Sequence, residues 1–121
     1  MTDIIVTWPK TRPLGSYYAE LENAKRLGRV INFRIPTRPR ATPRRCYMVY
    51  DGAVRCWSSV IEVVYRNAGE VRKVASDPGV VEWGFWPAGW YVVRDPVYHE
   101  LADHGIPMRG FQGFRYYEGD R

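Results

Sequence analysis

The chain has 121 residues, of which 45% are hydrophobic and 15% are aromatic. A chain of this length and composition can bury a core of its own, which excludes a disordered protein. It contains no apolar run of 18 residues, and its first residues lack the basic segment of a signal peptide. We therefore expect a single cytoplasmic domain, residues 1–121, with no membrane partner.

The net charge of +5 comes from one segment of the chain. Between Asn23 and Tyr50 there is no acidic residue, and the basic residues are Lys25, Arg26, Arg29, Arg34, Arg38, Arg40, Arg44 and Arg45. Outside this segment acidic residues outnumber basic ones. A local positive field attracts polyanions, and arginine binds phosphate oxygens in pairs. The segment therefore predicts contact with nucleic acid, and a solvated arginine-rich loop is the alternative.

The first predicted elements are a strand at residues 4–8, a helix near residues 16–27 and a strand at residues 30–35. Ser16 is the expected N-cap of the helix, and Gly28 is its expected C-terminal stop. Helical spacing predicts a buried face formed by Tyr17, Leu21 and Ala24 and an exposed face with Glu20, Asn23 and Lys25.

Three prolines in residues 36–44 predict a stiff, extended, solvent-facing loop, which presents Arg38, Arg40, Arg44 and Arg45. Asp51-Gly52 then predicts a tight hairpin between strands at residues 46–50 and 53–65. A bend or bulge is expected at Ser58-Ser59, because closed sheets often need one.

Asn67-Ala68-Gly69 gives a second hairpin signal, and a strand follows at residues 71–74. From Asp77 onward the pattern predicts a long irregular stretch that contains Trp83, Phe85 and Trp86. The last strands are expected at residues 90–93, ended by Asp95-Pro96, and at residues 114–117, with Tyr116 and Tyr117 on opposite faces. One main helix and six or seven strands indicate an α+β fold, a small mixed β-barrel.

The order of these elements resembles the start of the ASCH family, whose domains are small β-barrels of the PUA-like superfamily. Trp8-Pro9-Lys10 ends the first strand, a helix follows, and Gly28 precedes a strand that carries Arg34. The family signature after the helix is Gly-x-Lys-x-x-Glu-x-Arg. With Arg34 as the anchor, Asn32 takes the Glu place, Arg29 takes the Lys place, and the glycine comes one residue late.

The resemblance implies a PUA-like barrel with a cleft between barrel and helix that receives nucleic acid or a modified nucleoside, and it places Arg34 at this cleft. It also implies an enzymatic alternative, a hydrolase acting on RNA or on a modified nucleoside. Arg29 holds its proton at neutral pH and Asn32 does not titrate, so these departures weaken the case for catalysis more than the case for binding. If the chain is catalytic, Glu62 is the candidate acid or base.

Aromatic residues are the second candidate feature. Trp86 and Trp90 belong to a cluster at residues 83–91 whose rings can stack an unpaired base at a pocket rim, with burial in the core as the alternative. Tyr50 and Trp57 flank the first hairpin and are expected to face the same cleft. Gln112 lies between two glycines and is a candidate for reading a base edge, with a simple turn as the alternative.

No metal or cofactor is predicted, because the two cysteines and two histidines lack the number and spacing of zinc ligands (Cys46, Cys56, His99 and His104). Buried free thiols are favoured over a disulfide.

The sequence therefore predicts a module that binds RNA or modified DNA without catalysis. Arginines of the loop hold phosphates, and an aromatic cleft takes a base. The predicted contact residues are Lys10, Arg29, Asn32, Arg34, Arg38, Arg40, Arg44, Arg45, Tyr50, Trp57, Trp86, Trp90 and Gln112. A further alternative is a phage-type protein-interaction module, because Arg and Trp are enriched in binding hot spots.

Overall fold

A computed structural model describes residues 3–101 and 105–117 of the chain. Within these ranges the elements are β1 (Asp3–Thr7), α1 (Leu14–Arg26), β2 (Ile31–Ile35), β3 (Arg45–Tyr50), β4 (Ala53–Arg66), β5 (Gly69–Val74), β6 (Val81–Trp86), β7 (Gly89–Glu100), β8 (Ile106–Pro107) and β9 (Phe114–Tyr117). The α+β class with one main helix is confirmed. The nine strands exceed the predicted six or seven, because β6 and the short β8 were not expected. The helix of the described part of the chain is not long and apolar enough to cross a membrane.

The main sheet has the strand order β2-β7-β4-β3-β1-β9, and β8 pairs with β4 beside this path. The sheet is mixed, because β1 runs parallel to β3, whereas β1 is antiparallel to β9 and β3 is antiparallel to β4. Its first and last strands, β2 and β9, are not hydrogen-bonded to each other, so the sheet is a curled half-barrel rather than a closed barrel.

Both faces of the sheet are covered. The helix packs on one face, where the buried residues are Ile4, Val6, Trp8, Tyr17, Leu21, Ile35, Cys46, Met48, Cys56 and Val92. The opposite face holds a smaller cluster, formed by Ile5, Tyr47, Val49 and Val54. The segment that follows β7 packs on this second cluster through Leu101, Ile106, Met108 and Phe111.

An arginine is part of the core beneath the helix. Arg94 is 2% exposed, and its Nη1 donates a hydrogen bond of 2.7 Å to the hydroxyl of Tyr17. Its Nε has no hydrogen-bond partner among the described residues. Cys46 and Cys56 lie in the same region as buried free thiols, which confirms the expectation against a disulfide. Burial raises the pKa of both thiols, that of Cys56 to about 12, although the charge of Arg94 opposes the shift.

The helix begins two residues earlier than predicted. Pro13 occupies the N-cap position and no side chain caps the helix, so the expectation of Ser16 as N-cap is wrong. The predicted buried face is correct, and Gly28 adopts the left-handed conformation, with φ of 66°, just after the end. Asn23 was expected on the exposed face but is buried, because the loop after β5 covers it. Its Nδ2 donates a hydrogen bond of 2.6 Å to the carbonyl of Ala75 in that loop.

The first hairpin and its bulge are confirmed. Asp51 and Gly52 both have positive φ, 45° and 82°, as a tight two-residue turn requires. The pairing of β4 with β7 shifts register between Ser58 and Val60 and again between Val60 and Glu62. These irregularities lie at the predicted bend and increase the curl of the sheet.

Residues 67–86 differ most from expectation. Asn67 and Ala68 do not form a hairpin turn; they join β4 to β5, and the hairpin closes later, between β5 and β6. The stretch predicted to be irregular is therefore mostly strand. Its alternation was hidden because the solvent-exposed face of β6 carries apolar residues, Trp83 and Phe85.

Strand β7 also runs past the predicted end at Asp95-Pro96. The register moves from the pair Val60 and Arg94 to the pair Ser58 and Tyr98, so residues 95–97 lie outside the ladder. A proline is tolerated there because it removes no ladder hydrogen bond. The carboxylate of Asp95 accepts a hydrogen bond of 2.8 Å from the backbone N–H of Val97 and holds the bulge in place.

Candidate nucleic-acid interface

The basic loop, residues 36–44, joins β2 to β3. Its arginines, Arg38, Arg40 and Arg44, are exposed, whereas two of its three prolines, Pro39 and Pro43, are buried. Proline has no backbone N–H, so burying it leaves no donor unsatisfied. The prediction that the loop presents arginines to solvent agrees with this arrangement for these three, whereas Arg45 is the first residue of β3 and is half-buried. The loop is anchored by its prolines and is not wholly solvent-facing.

Two of these arginines lie on rings of distant strands. The Cζ atom of Arg38 is 5.4 Å from the ring centroid of Trp90 in β7. Arg40 reaches β9, where its Cζ atom is 4.1 Å from the ring centroid of Tyr116 and its backbone N–H donates 2.8 Å to the Tyr116 hydroxyl. The backbone hydrogen bond, together with the charge of Arg40, lowers the pKa of Tyr116. The basic loop thus bridges the opening between the two ends of the sheet.

Arg45 belongs to a separate stack on the face of the sheet opposite the helix. Its Cζ atom is 3.9 Å from the ring centroid of Trp57, and the ring of His99 lies 4.0 Å from the same indole with an interplanar angle of 21°. Two groups this close to one centroid must occupy opposite faces of the ring. Trp57 is therefore covered on both faces by side chains of its own chain, and a base has no free indole face there.

A third group of predicted residues lies around the base of the β5–β6 hairpin. Nη2 of Arg66 donates 3.3 Å to Oδ1 of Asn32, and its Cζ atom is 4.3 Å from the ring centroid of Trp86. Arg34 is exposed and donates 3.0 Å from Nη2 to the carbonyl of Ala88. The preceding residue, Phe33, packs on the core. Because successive side chains of a strand point to opposite faces, Arg34 points away from the core.

The remaining predicted residues do not join these groups. Lys10 and Gln112 are exposed, and Arg29 is half-buried just after the helix. The hydroxyl of Tyr50 donates a hydrogen bond of 3.5 Å to the carbonyl of Lys10. The ring of Tyr50 packs with the cluster under the helix, whereas Trp57 packs on the opposite face of the sheet. The expectation that Tyr50 and Trp57 face one cleft is therefore wrong.

The structure does not collect the predicted residues around one cleft between barrel and helix. A groove of about 390 Å³ does border the helix, but it opens toward the loop after β5 and is lined by Ala19, Glu22, Asn23, Arg26, Ser76 and Pro78. None of these was a predicted contact residue. Glu62, the candidate acid or base, is exposed at the β4 bulge.

Among the described residues, arginine side chains contact aromatic rings more often than they pair with carboxylates. Seven of them lie over aromatic rings: Arg12, Arg38, Arg40, Arg45, Arg66, Arg94 and Arg115. Between described residues, the ion pair that the structure shows joins Arg12 to Glu20. Stacking fixes the plane of a guanidinium and leaves its charge unneutralised, so its N–H groups remain able to bind an anion.

Sequence reasoning missed Tyr116, Arg66 and His99 as partners of the predicted residues. Tyr116 lies 76 positions from Arg40, and no local pattern connects the two. It also missed that Trp83 and Phe85 are the most exposed aromatic rings, at 69% and 66%. No group of His, Cys, Asp and Glu in residues 3–101 and 105–117 has a geometry that would hold a metal ion, and His104 lies outside those ranges.

Comparisons of the chain with protein-family models, with curated proteins and with solved structures find no match.

Proposed function

We propose that this protein binds nucleic acid, RNA or modified DNA, through the phosphate backbone and without catalysis, and that its half-barrel is of the PUA-like kind. The observation that carries the proposal is the basic loop. Arg38, Arg40 and Arg44 are all exposed on one short segment, in which Pro39 and Pro43 are buried. None of them pairs with a carboxylate of the described residues.

Pre-ordering of these arginines supports binding of an extended anion. Trp90 and Tyr116 already hold two of the guanidinium groups, so less side-chain freedom is lost when a phosphate binds. Three exposed arginines on one short loop, two of them with fixed guanidinium planes, suit a ligand with regularly repeated phosphates. The loop lies within residues 23–50, a segment without acidic residues, and outside this segment acidic residues outnumber basic ones, so the field that attracts a polyanion is strongest here.

The aromatic contribution differs from the sequence-based expectation. Trp57 and Trp86 are already in contact with arginines and with His99 or Tyr91, so we assign them to holding guanidinium groups. Contact with phosphates then dominates over contact with bases. Binding with weak sequence preference and strong dependence on salt follows from this assignment.

The test is a salt titration of binding to fluorescent single- and double-stranded RNA and DNA. The variant replaces Arg38, Arg40 and Arg44 by Ala together, and the control replaces the exposed residues Lys25, Lys73 and Arg109, so both lose three positive charges. Each phosphate contact adds about 0.7–0.9 to the slope of log affinity against log salt. We expect the loop variant to lose about 2 from the slope and the control to keep most of it. Equal slopes in both variants, or no binding at about 50 mM salt, would show that the loop is only solvated.

A further inference from the structure

The β5–β6 hairpin presents an unpartnered apolar face. Cross-strand pairing places Glu70 beside Phe85 and Arg72 beside Trp83, and these two rows share one face. The rings of Trp83 and Phe85 are 69% and 66% exposed, and no stacking partner covers either among the described residues. Trp86, on the other face of the hairpin, instead contacts Tyr91 and Arg66 of the main sheet.

This outer face is self-complementary in charge. One row carries an acid and an aromatic ring, and the next row carries a base and an aromatic ring. A two-fold axis that lies across the strands, between two facing hairpins, brings each row onto the other row of the second copy. Glu70 then faces Arg72 of the other copy and Trp83 faces its Phe85, each contact being made twice.

We propose that a second copy of this chain docks on this face and that the protein forms a symmetric dimer through its β5–β6 hairpins. Nucleic acid is a poorer occupant, because residues 69–86 carry three acidic residues (Glu70, Asp77 and Glu82) and two basic ones (Arg72 and Lys73). A hairpin of six-residue strands is about 20 Å long, so it buries less than the roughly 800 Å² per partner of a standard interface. The dimer is therefore weak and depends on protein concentration.

Charge reversal tests the pairing directly by sedimentation velocity over a range of concentrations. Glu70→Arg gives a face with two bases and Arg72→Glu gives a face with two acids, so each variant repels its own copies. We expect each to weaken self-association by more than about tenfold. When the two variants are mixed, opposite charges face each other in both rows, and a mixed dimer forms with an affinity near that of the parent protein. Lys73→Glu and Glu82→Arg are the matched controls, because these residues make a cross-strand pair on the other face of the hairpin.

Three results would overturn the proposal. One is a parent protein that stays monomeric up to about 500 µM, well above the micromolar range of weak specific complexes. Another is a mixture of the two charge variants that remains monomeric while both are folded by circular dichroism. The last is loss of nucleic-acid binding in Trp83→Ala with no change in sedimentation, which would make the face a platform for bases. The first two results leave the salt titration of the basic loop unaffected, because they concern self-association and not nucleic-acid binding.

Discussion

The buried pair Arg94 and Tyr17 yields a stability prediction in which two substitutions are not additive. Arg94 is 2% exposed, its Nη1 donates a hydrogen bond of 2.7 Å to the Tyr17 hydroxyl, and its Nε lacks a partner among the described residues. No carboxylate of those residues pairs with it. Arginine stays charged in proteins, so this core holds a positive charge that the Tyr17 hydroxyl and the rings of Tyr17 and Phe33 partly compensate.

The magnitudes follow from what each substitution leaves behind. Tyr17→Phe removes a hydrogen bond to a charged group and should cost about 1.5–3 kcal/mol. Arg94→Met removes a desolvated charge, which can stabilise by about 1–4 kcal/mol, but it leaves the Tyr17 hydroxyl unpaired at a cost of about 1–3 kcal/mol. We expect Arg94→Met to stay within about 2 kcal/mol of the parent protein. The double variant leaves neither group unpaired and should exceed Tyr17→Phe in stability by at least about 2 kcal/mol.

Urea unfolding of the four proteins, fitted with a common slope, measures this cycle. Arg12→Met is the control, because Arg12 also lies on an aromatic ring but is exposed and paired with Glu20, so its loss should cost less than about 1 kcal/mol. The reasoning is refuted if Tyr17→Phe costs nothing, or if the double variant is less stable than Tyr17→Phe. Either result would show that the charge of Arg94 is compensated by something other than the hydroxyl.

Two further predictions concern pH and glycine. Burial raises the pKa of Cys56 from 9.0 and of Tyr17 from 10.0, each to about 12. The unfolded chain therefore loses these protons first, so stability is full below about pH 9 and falls as pH rises toward 12. Urea midpoints at pH 8 and 10.5 measure the fall, which should be smaller in Cys56→Ala; an equal fall would contradict the assignment. Gly105→Ala should destabilise by more than about 1 kcal/mol, because φ is 82° and the new Cβ would lie 2.0 Å from the Val54 carbonyl oxygen. Gly15→Ala, in open space within the helix, should stabilise by about 0.5–1 kcal/mol, and equal melting temperatures for the two variants would refute the comparison.

Features governed by neighbouring residues could be predicted from the sequence. Asp51-Gly52 specifies its turn because both residues adopt positive φ, and the spacing of Tyr17, Leu21 and Ala24 identifies the buried face of the helix. The outward arginines of the basic loop also follow from local chemistry, since charged side chains between prolines remain in water. These preferences act over a few residues, so they survive in any fold that contains the segment.

The contacts of these residues were decided by the tertiary structure. Arg40 meets Tyr116 because the basic loop crosses from β2 to the far end of the sheet, and Asn23 is buried because the loop after β5 packs on it. Arg94 lies in the core because the β7 bulge and the helix fix which face it takes. Strand β6 was missed for the same reason, since its apolar residues face solvent and alternation alone does not reveal which face is covered. Register and burial depend on segments far apart in the chain, so the amino-acid sequence determined the local elements and the charge of the basic loop, whereas only the assembled sheet determined their partners.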